Sequence, residues 1–179
     1  EHHQILAPLN LGESRVGALT SLVTMYPDFV KPVSRLISLY AHHSAGYLTD
    51  NGNLALSNNH KAFIKNVFGA LQEAQNLGTP NFTPKVIAYQ RGKEVFLASL
   101  RIYAATQGDE PLKASSIMGV IRDLEHFTVP TFPLTGQDVM ALDVTGPRIG
   151  QALRDMEKWW LENGFPDRDT CLAELEKRF

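Results

Sequence analysis

Apolar residues recur along this chain at the three- and four-residue spacing that is typical of amphipathic helices. Near the start of the chain, two such segments are separated by Pro27 and Pro32, which interrupt a continuous helix. The apolar positions of the two segments are Val16, Leu19, Leu22, Val23 and Tyr26, then Val33, Leu36, Ile37 and Tyr40. The pattern predicts two short helices, each with one buried face.

A glycine-containing loop and a long helix are predicted next. The loop covers Gly46 to Gly52, and Ser57 is placed to cap the following helix, because its side-chain oxygen can accept a backbone N–H of the first turn. The breakers Gly78-Thr79-Pro80 end that helix. Its buried face is predicted at Phe63, Ile64, Val67, Phe68 and Leu71.

Proline and glycine also mark the helices in the middle of the chain. Thr83-Pro84 predicts a helix start, with Thr83 as the cap and proline at the first helical position. The apolar pattern breaks at Gly92 and then resumes, which predicts two short helices instead of one long helix. Pro111 begins another helix, whose inward residues are Ile117, Val120, Ile121 and Leu124.

The segment from Thr128 to Pro133 contains two prolines, which exclude a central strand and predict a boundary. We expect a helical body-like region at residues 1–130 and a small helical tail unit at residues 131–179. Helices of the small unit are predicted near 136–142, 147–163 and 168–179. With no alternating strand pair in the sequence, the predicted fold class is all-α: an irregular multi-helix bundle followed by the tail unit.

Composition limits the function classes. The chain has 179 residues, 44% of them hydrophobic, and its 17 basic and 19 acidic residues give a net charge of −2. Contact with a polyanion would therefore depend on clustered charge and not on net charge. Cys171 is the single cysteine, which excludes an internal disulfide and favours a reducing, cytoplasmic location for the protein. The Cys171 side chain is expected on a packed helix face. No apolar run is long enough for a membrane span and no leader precedes the first helix, so membrane contact is not expected.

No catalytic or metal site is predicted. Asp167-Arg168-Asp169 matches the Asp-x-Asp pattern of two-metal sites, but Asp167 follows a Gly-Phe-Pro turn and is better placed to cap a helix. His42-His43 has no further histidine or aspartate that would complete a metal shell, so it is interpreted as the polar end of a helix. Enzymatic activity of this chain is accordingly left open.

The sequence Gly146-Pro147-Arg148-Ile149-Gly150 predicts an anion-binding helix start. The helix would begin with proline at its first position and have a glycine one turn in, so its first backbone N–H groups stay open to a phosphate. The helix dipole and the nearby Arg148 both favour a negative charge there. The alternative is that Gly150 only lets a neighbouring helix approach closely. Trp159 and Trp160 follow on the same helix, and one of them is expected in the core.

Other basic residues form small groups on predicted helices. Lys61 and Lys65 are one turn apart, and so are Arg154 and Lys158. Tyr89 and the cations around Gly92 combine an aromatic ring with positive charge at an irregular joint, which suits phosphate and sugar contact. The predicted phosphate-binding residues are Lys61, Lys65, Arg91, Lys93, Arg101, Gly146, Arg148, Gly150 and Arg154.

The run from Pro133 to Leu142, the motif at 146–150, Trp159-Trp160 and Phe165-Pro166-Asp167-Arg168 together resemble the C-terminal end of bacterial CCA-adding enzymes. These are tRNA nucleotidyltransferases related to poly(A) polymerases. Weaker similarity to the family's helical body covers residues 54–61 and 89–96. The catalytic head and the nucleotide-selecting neck have no counterpart here, so we expect a fragment.

The resemblance implies that this chain is a non-catalytic region that anchors tRNA through its backbone. The head and neck of the same polypeptide would then add CCA with Mg²⁺, CTP and ATP, and no cofactor is expected in the fragment itself. A Glu-Asp-x-x-Arg segment for reading nucleotide edges is missing from the sequence, which argues against nucleotide selection. The alternative is a structural or protein-interaction all-α module that does not bind RNA, which the net charge of −2 favours.

Overall fold

The computed structural model describes residues 13–28, 32–41, 45–50, 56–80, 82–107 and 111–179. Within these ranges the chain forms helices and no strands, which confirms the prediction of an all-α helical bundle. The chain divides into two compact units, unit 1 at Glu1–Val129 and unit 2 at Pro130–Phe179. His42 and His43 lie outside the described residues.

The described residues of unit 1 form seven helices. They are α1 (Glu13–Met25), α2 (Pro32–Leu39), α3 (Ala45–Thr49), α4 (Asn58–Ala74), α5 (Pro84–Arg91), α6 (Lys93–Thr106) and α7 (Pro111–His126). Helix α6 is central, since it packs against α1, α2, α4, α5 and α7. One face of α6 contributes Ala98 and Ile102 to a core shared with α1 to α4, and another contributes Phe96 and Leu100 to a core shared with α4, α5 and α7.

Two of the predicted helix boundaries in unit 1 have the expected physical cause. The Ser57 side chain accepts the backbone N–H of His60 at 3.2 Å and caps α4. Helices α5 and α6 are separated by Gly92 alone, whose φ of +89° lies in a region that side chains with a Cβ rarely adopt. Glycine at this position therefore ends one helix and lets the next begin in a new direction.

Three local predictions in unit 1 are wrong. Residues 45–49 form the short helix α3 and not a loop, because Leu48 is buried in the core. Thr83 precedes α5 with φ −115° and ψ 84° and makes no side-chain cap. Val23 is 39% exposed, because the buried stripe of α1 passes through Ala18 and Leu22.

Unit 2 is built around one buried tryptophan. Its helices are α8 (Gly136–Met140), α9 (Pro147–Glu162) and α10 (Arg168–Arg178). The indole N–H of Trp160 donates to the Pro166 carbonyl at 2.8 Å, and its ring packs edge-on against Phe132 and Phe165 at centroid distances of 5.4 and 4.8 Å. The prediction that one of the paired tryptophans is core is confirmed, since Trp160 is 1% exposed while Trp159 is half-buried.

Helix α10 begins as the sequence predicts. The Asp167 carboxylate accepts the backbone N–H of Thr170 at 2.9 Å, and this hydrogen bond lowers the pKa of Asp167. Cys171 is buried one turn later, and burial raises the pKa of its thiol. None of the helices in the described ranges is both long and apolar enough to cross a membrane.

Candidate nucleic-acid interface

The predicted anion site lies at the start of α9. Gly146 precedes the helix with φ +64° and ψ −144°, no side chain caps the helix there, and Pro147 occupies the first turn. The Ile149 amide already donates to the Gly146 carbonyl at 3.2 Å, and proline has no N–H. The helix start therefore offers an incoming phosphate fewer backbone donors than the sequence predicts, chiefly the Arg148 amide.

Arg148 is the most available cation of this helix start. It is exposed, and among the described residues no hydrogen bond or ion pair holds its guanidinium. At 100° per residue, Arg148 projects about 120° away from Arg154. The arginines of α9 therefore do not form a single stripe, and a phosphate at the helix start would meet Arg148 alone.

Gly150 accommodates a side chain of its own helix. A Cβ placed on Gly150 would lie 3.4 Å from the Arg154 guanidinium, and no other helix comes within 4 Å of that position. Arg154 also donates to the side-chain oxygen Oε1 of Gln151 at 2.9 Å, and the Gln151 side-chain amide donates to Asp155 at 2.8 Å. The alternative that Gly150 serves the approach of a neighbouring helix is thus not what the structure shows.

Replacing Gly146 and Gly150 by alanine is expected to have opposite effects on stability. Alanine at position 146 would have to adopt the positive φ of Gly146, which residues with a Cβ disfavour. Gly146→Ala should therefore lower the free energy of unfolding of unit 2 by about 1–2 kcal/mol. Gly150→Ala should leave it unchanged or raise it by up to about 1 kcal/mol, because alanine favours the helix and the added Cβ would meet only the end of the Arg154 side chain, at 3.4 Å. Urea denaturation followed by tryptophan fluorescence measures both. Equal losses for the two variants would contradict this assignment.

Three of the predicted cations of unit 1, namely Arg91, Lys93 and Arg101, contact groups of their own fold. Arg91 crosses Gly69 of α4 and donates to Glu73 at 2.7 and 3.0 Å, and this hydrogen bond raises the pKa of Arg91. Lys93 donates its ammonium N–H groups to the backbone carbonyls of Glu125 and Phe127 at 2.9 and 2.8 Å. Lys93 thereby satisfies carbonyls at the C-terminal end of α7, where the helix dipole favours a cation.

Arg101 lies two turns beyond Lys93 on α6 and reaches the same residue of α7. Its guanidinium donates to the Glu125 carboxylate at 2.7 Å and lies 5.7 Å from the centre of the Tyr26 ring. Lys61 is half-buried and Lys65 is exposed, on the first two turns of α4. Phosphate binding by these residues stays a prediction, and it would have to compete with the contacts that Arg91, Lys93 and Arg101 already make.

Sequence reasoning missed the acidic partners in unit 1 and one ion pair in unit 2. Glu73 and Glu125 lie 18 and 24 residues from the arginines they contact, and no short-range spacing signals such pairs. In unit 2, Arg168 donates to both oxygens of Asp138 and to the Pro133 carbonyl. The Asp138 carboxylate also accepts the Thr135 backbone N–H at 2.7 Å, the capping-box contact that the sequence does predict.

In the described ranges, no three or more His, Cys, Asp or Glu side chains come together in a way that could hold a metal ion. Asp167 and Asp169 are on the first turn of α10, with Asp167 engaged as its cap. The Asp-x-Asp of this chain therefore serves a helix start.

Comparison with known proteins gives a distant and partial similarity. The chain is 27% identical over 70 residues to CCA tRNA nucleotidyltransferase 1, mitochondrial, of Mus musculus, and 25% identical over 76 residues to the Homo sapiens protein of the same name. These matches cover 38% and 41% of this chain but only 16% and 18% of the relatives, so the chain spans less than a fifth of the curated relatives it matches. No family model matches the chain. No solved structure matches it either.

Proposed function

We propose that this chain is a non-catalytic, tRNA-binding region of a CCA tRNA nucleotidyltransferase, equivalent to the body and tail of a bacterial enzyme. It would hold tRNA through its phosphate backbone while a head and neck outside this chain transfer nucleotides from CTP and ATP with Mg²⁺. The observation that carries the proposal is the distant similarity to two CCA tRNA nucleotidyltransferases. The uncapped start of α9 beside exposed Arg148 supports it, because such a start attracts anions.

The proposed binding is weak and depends on shape. Unit 2 carries six basic and nine acidic residues, so its overall field does not attract RNA. A backbone-reading protein needs few base contacts, and scattered cations beside helix starts suit that mode better than a basic tract. The free energy of binding would thus come from a handful of phosphate contacts. The cytoplasm is the proposed location, although both relatives carry mitochondrial names.

A filter-binding titration with tRNA tests this function. At low salt we expect the full chain to bind tRNA more tightly than an unrelated control protein of equal net charge does. If about four to six phosphates are contacted, log K should fall against log salt with a slope of roughly −4 to −5. Arg148→Gln should make that slope less steep by about one. Lys177 is an exposed cation outside the predicted set, so Lys177→Gln should leave the slope unchanged.

A structural all-α module remains the second candidate function. It is favoured by the internal partners of Arg91, Lys93, Arg101 and Arg154, which give these cations a role in stabilising the fold. Under that alternative, the chain binds tRNA no more tightly than the control protein does, and Arg148→Gln does not change the titration. The same experiment therefore separates the two functions.

A further inference from the structure

Unit 1 contains a cavity of about 240 Å³ beside the end of α1. Its walls are formed by Met25, Tyr26, Pro27, Asp28, Arg101 and Glu125. A dry cavity of about 150 Å³ holds a benzene ring, so this one has room for a two-ring aromatic base. It falls below the usual size of pockets for drug-sized ligands, so it would not enclose a whole nucleoside triphosphate.

The charges on the cavity wall favour a ligand that carries both donors and acceptors. Arg101 supplies donors, and Glu125 and Asp28 supply two carboxylates. With Arg101 already bonded to Glu125 at 2.7 Å, the wall has a net charge of −1, which disfavours a phosphate. The edge of a nucleobase is uncharged and presents N–H donors beside oxygen and nitrogen acceptors, so it matches this wall better.

The Tyr26 hydroxyl oxygen is buried and finds no hydrogen-bond partner within the described part of the chain. Burial raises the pKa of Tyr26, so the hydroxyl remains a donor at neutral pH. A phenylalanine would fill the same space without the cost of an unpaired polar group. A ligand that accepts this O–H would remove that cost.

We propose that this cavity binds an unstacked guanine base presented by RNA. Guanine is the base whose N1–H and N2–H₂ donors lie side by side, as a carboxylate such as Glu125 requires, and its O6 and N7 accept from an arginine. The Tyr26 side chain lines the same cavity, and its buried hydroxyl would donate to the same acceptor edge once the ring turns toward the base. The inference rests on the proposed function, because RNA supplies the base, and it gives Arg101 a base contact in place of the predicted phosphate contact.

Free mononucleotides test the chemistry of the cavity on the full chain. By equilibrium dialysis, guanosine monophosphate should bind at least fivefold more tightly than adenosine monophosphate. Glu125→Gln should weaken guanosine monophosphate binding about tenfold and remove the preference, since the paired acceptor is lost. Tyr26→Phe should weaken it three- to tenfold while the melting temperature stays the same or rises. Glu176→Gln, with the same charge change on α10, serves as the control and should bind like the wild type.

The tRNA titration then identifies the source of the base. If Tyr26→Phe and Glu125→Gln weaken tRNA binding and Glu176→Gln does not, the RNA assignment stands. If they weaken mononucleotide binding alone, the cavity takes free nucleotides and that assignment is overturned. Equal binding of both mononucleotides, or binding of neither, overturns the guanine site. A wild-type chain that binds guanosine monophosphate but not tRNA contradicts the proposed function, a result distinct from failure of the cavity.

Discussion

Trp160→Ala is expected to unfold unit 2 at room temperature while the helices of unit 1 persist. Truncation of a buried tryptophan costs about 3–5 kcal/mol. Unit 2 has 50 residues, and at about 0.05–0.15 kcal/mol per residue its whole stability is of the same size. The variant also leaves the Pro166 carbonyl without the indole N–H and removes the ring between Phe132 and Phe165. Nothing in the small unit replaces these contacts.

Tryptophan fluorescence measures this loss selectively. Both tryptophans of the chain are on α9, so Trp159 is the single indole in the Trp160→Ala protein and reports on unit 2 alone. Its emission should move to the red, and far-ultraviolet circular dichroism should show that most helix remains. Trp159→Phe is the matched control, since Trp159 is half-buried and its ring lies 5.9 Å from the Arg178 guanidinium. A Trp160→Ala protein that unfolds in urea like the wild type would contradict this account of the core.

Asp138→Ala is expected to lower the free energy of unfolding of unit 2 by about 2–4 kcal/mol at pH 7. One carboxylate accepts the Thr135 backbone N–H and hydroxyl, at 2.7 and 2.8 Å, and is also bound by Arg168. Loss of the helix cap accounts for about 0.5–2 kcal/mol and loss of the charged hydrogen bonds for a similar amount. Because Arg168 also donates to Pro133, the same change loosens the segment that leads into α8.

Acid should remove this contribution in the wild type. Hydrogen bonding by Arg168, with smaller contributions from Thr135, lowers the pKa of Asp138 from 3.8 to about 2. The folded state thus binds the proton less well than the unfolded state, so stability is complete above about pH 4 and falls as the pH approaches 2. The difference between wild type and Asp138→Ala should therefore be constant from pH 5 to 7 and shrink below pH 4.

Asp169→Asn supplies the control for charge. It removes a carboxylate from the same region, and Asp169 is exposed on the first turn of α10. We expect it to change stability by no more than about 0.5 kcal/mol and to leave the pH profile unaltered. A wild-type profile that stays flat down to pH 2 would show that Asp138 and Arg168 do not interact as described.

Sequence reasoning succeeded where structure is set by neighbouring residues. The caps at Ser57 and Asp167 and the helix break at Gly92 all follow from side chains or backbone freedom within a few positions. It failed at α3, where a glycine-containing segment becomes helical because Leu48 is buried by tertiary packing. Thr83 shows the opposite error, since a residue with good capping chemistry does not use it.

The candidate site shows the same limit more sharply. The helix start at Gly146-Pro147 could be located from sequence, because its backbone geometry depends on those two residues. The internal partners of Arg91 and Arg101 could not, because Glu73 and Glu125 reach them only through helix packing. Tyr26 matched the apolar stripe of α1, and nothing in the sequence signals that its hydroxyl is unpaired beside a cavity.

The central claim is that the chain binds the backbone of a folded tRNA and performs no chemistry. The most direct test of this binding is NMR, in which chemical-shift changes of the backbone amides are followed as tRNA is added. The account predicts shifts at Gly146, Arg148 and Gly150 that reverse as salt is raised and are weakened by Arg148→Gln. Lys177→Gln should leave the shifts in place. Specific tRNA binding that leaves the amides at the start of α9 unmoved, or no shifts at low salt anywhere in the chain, would contradict the claim.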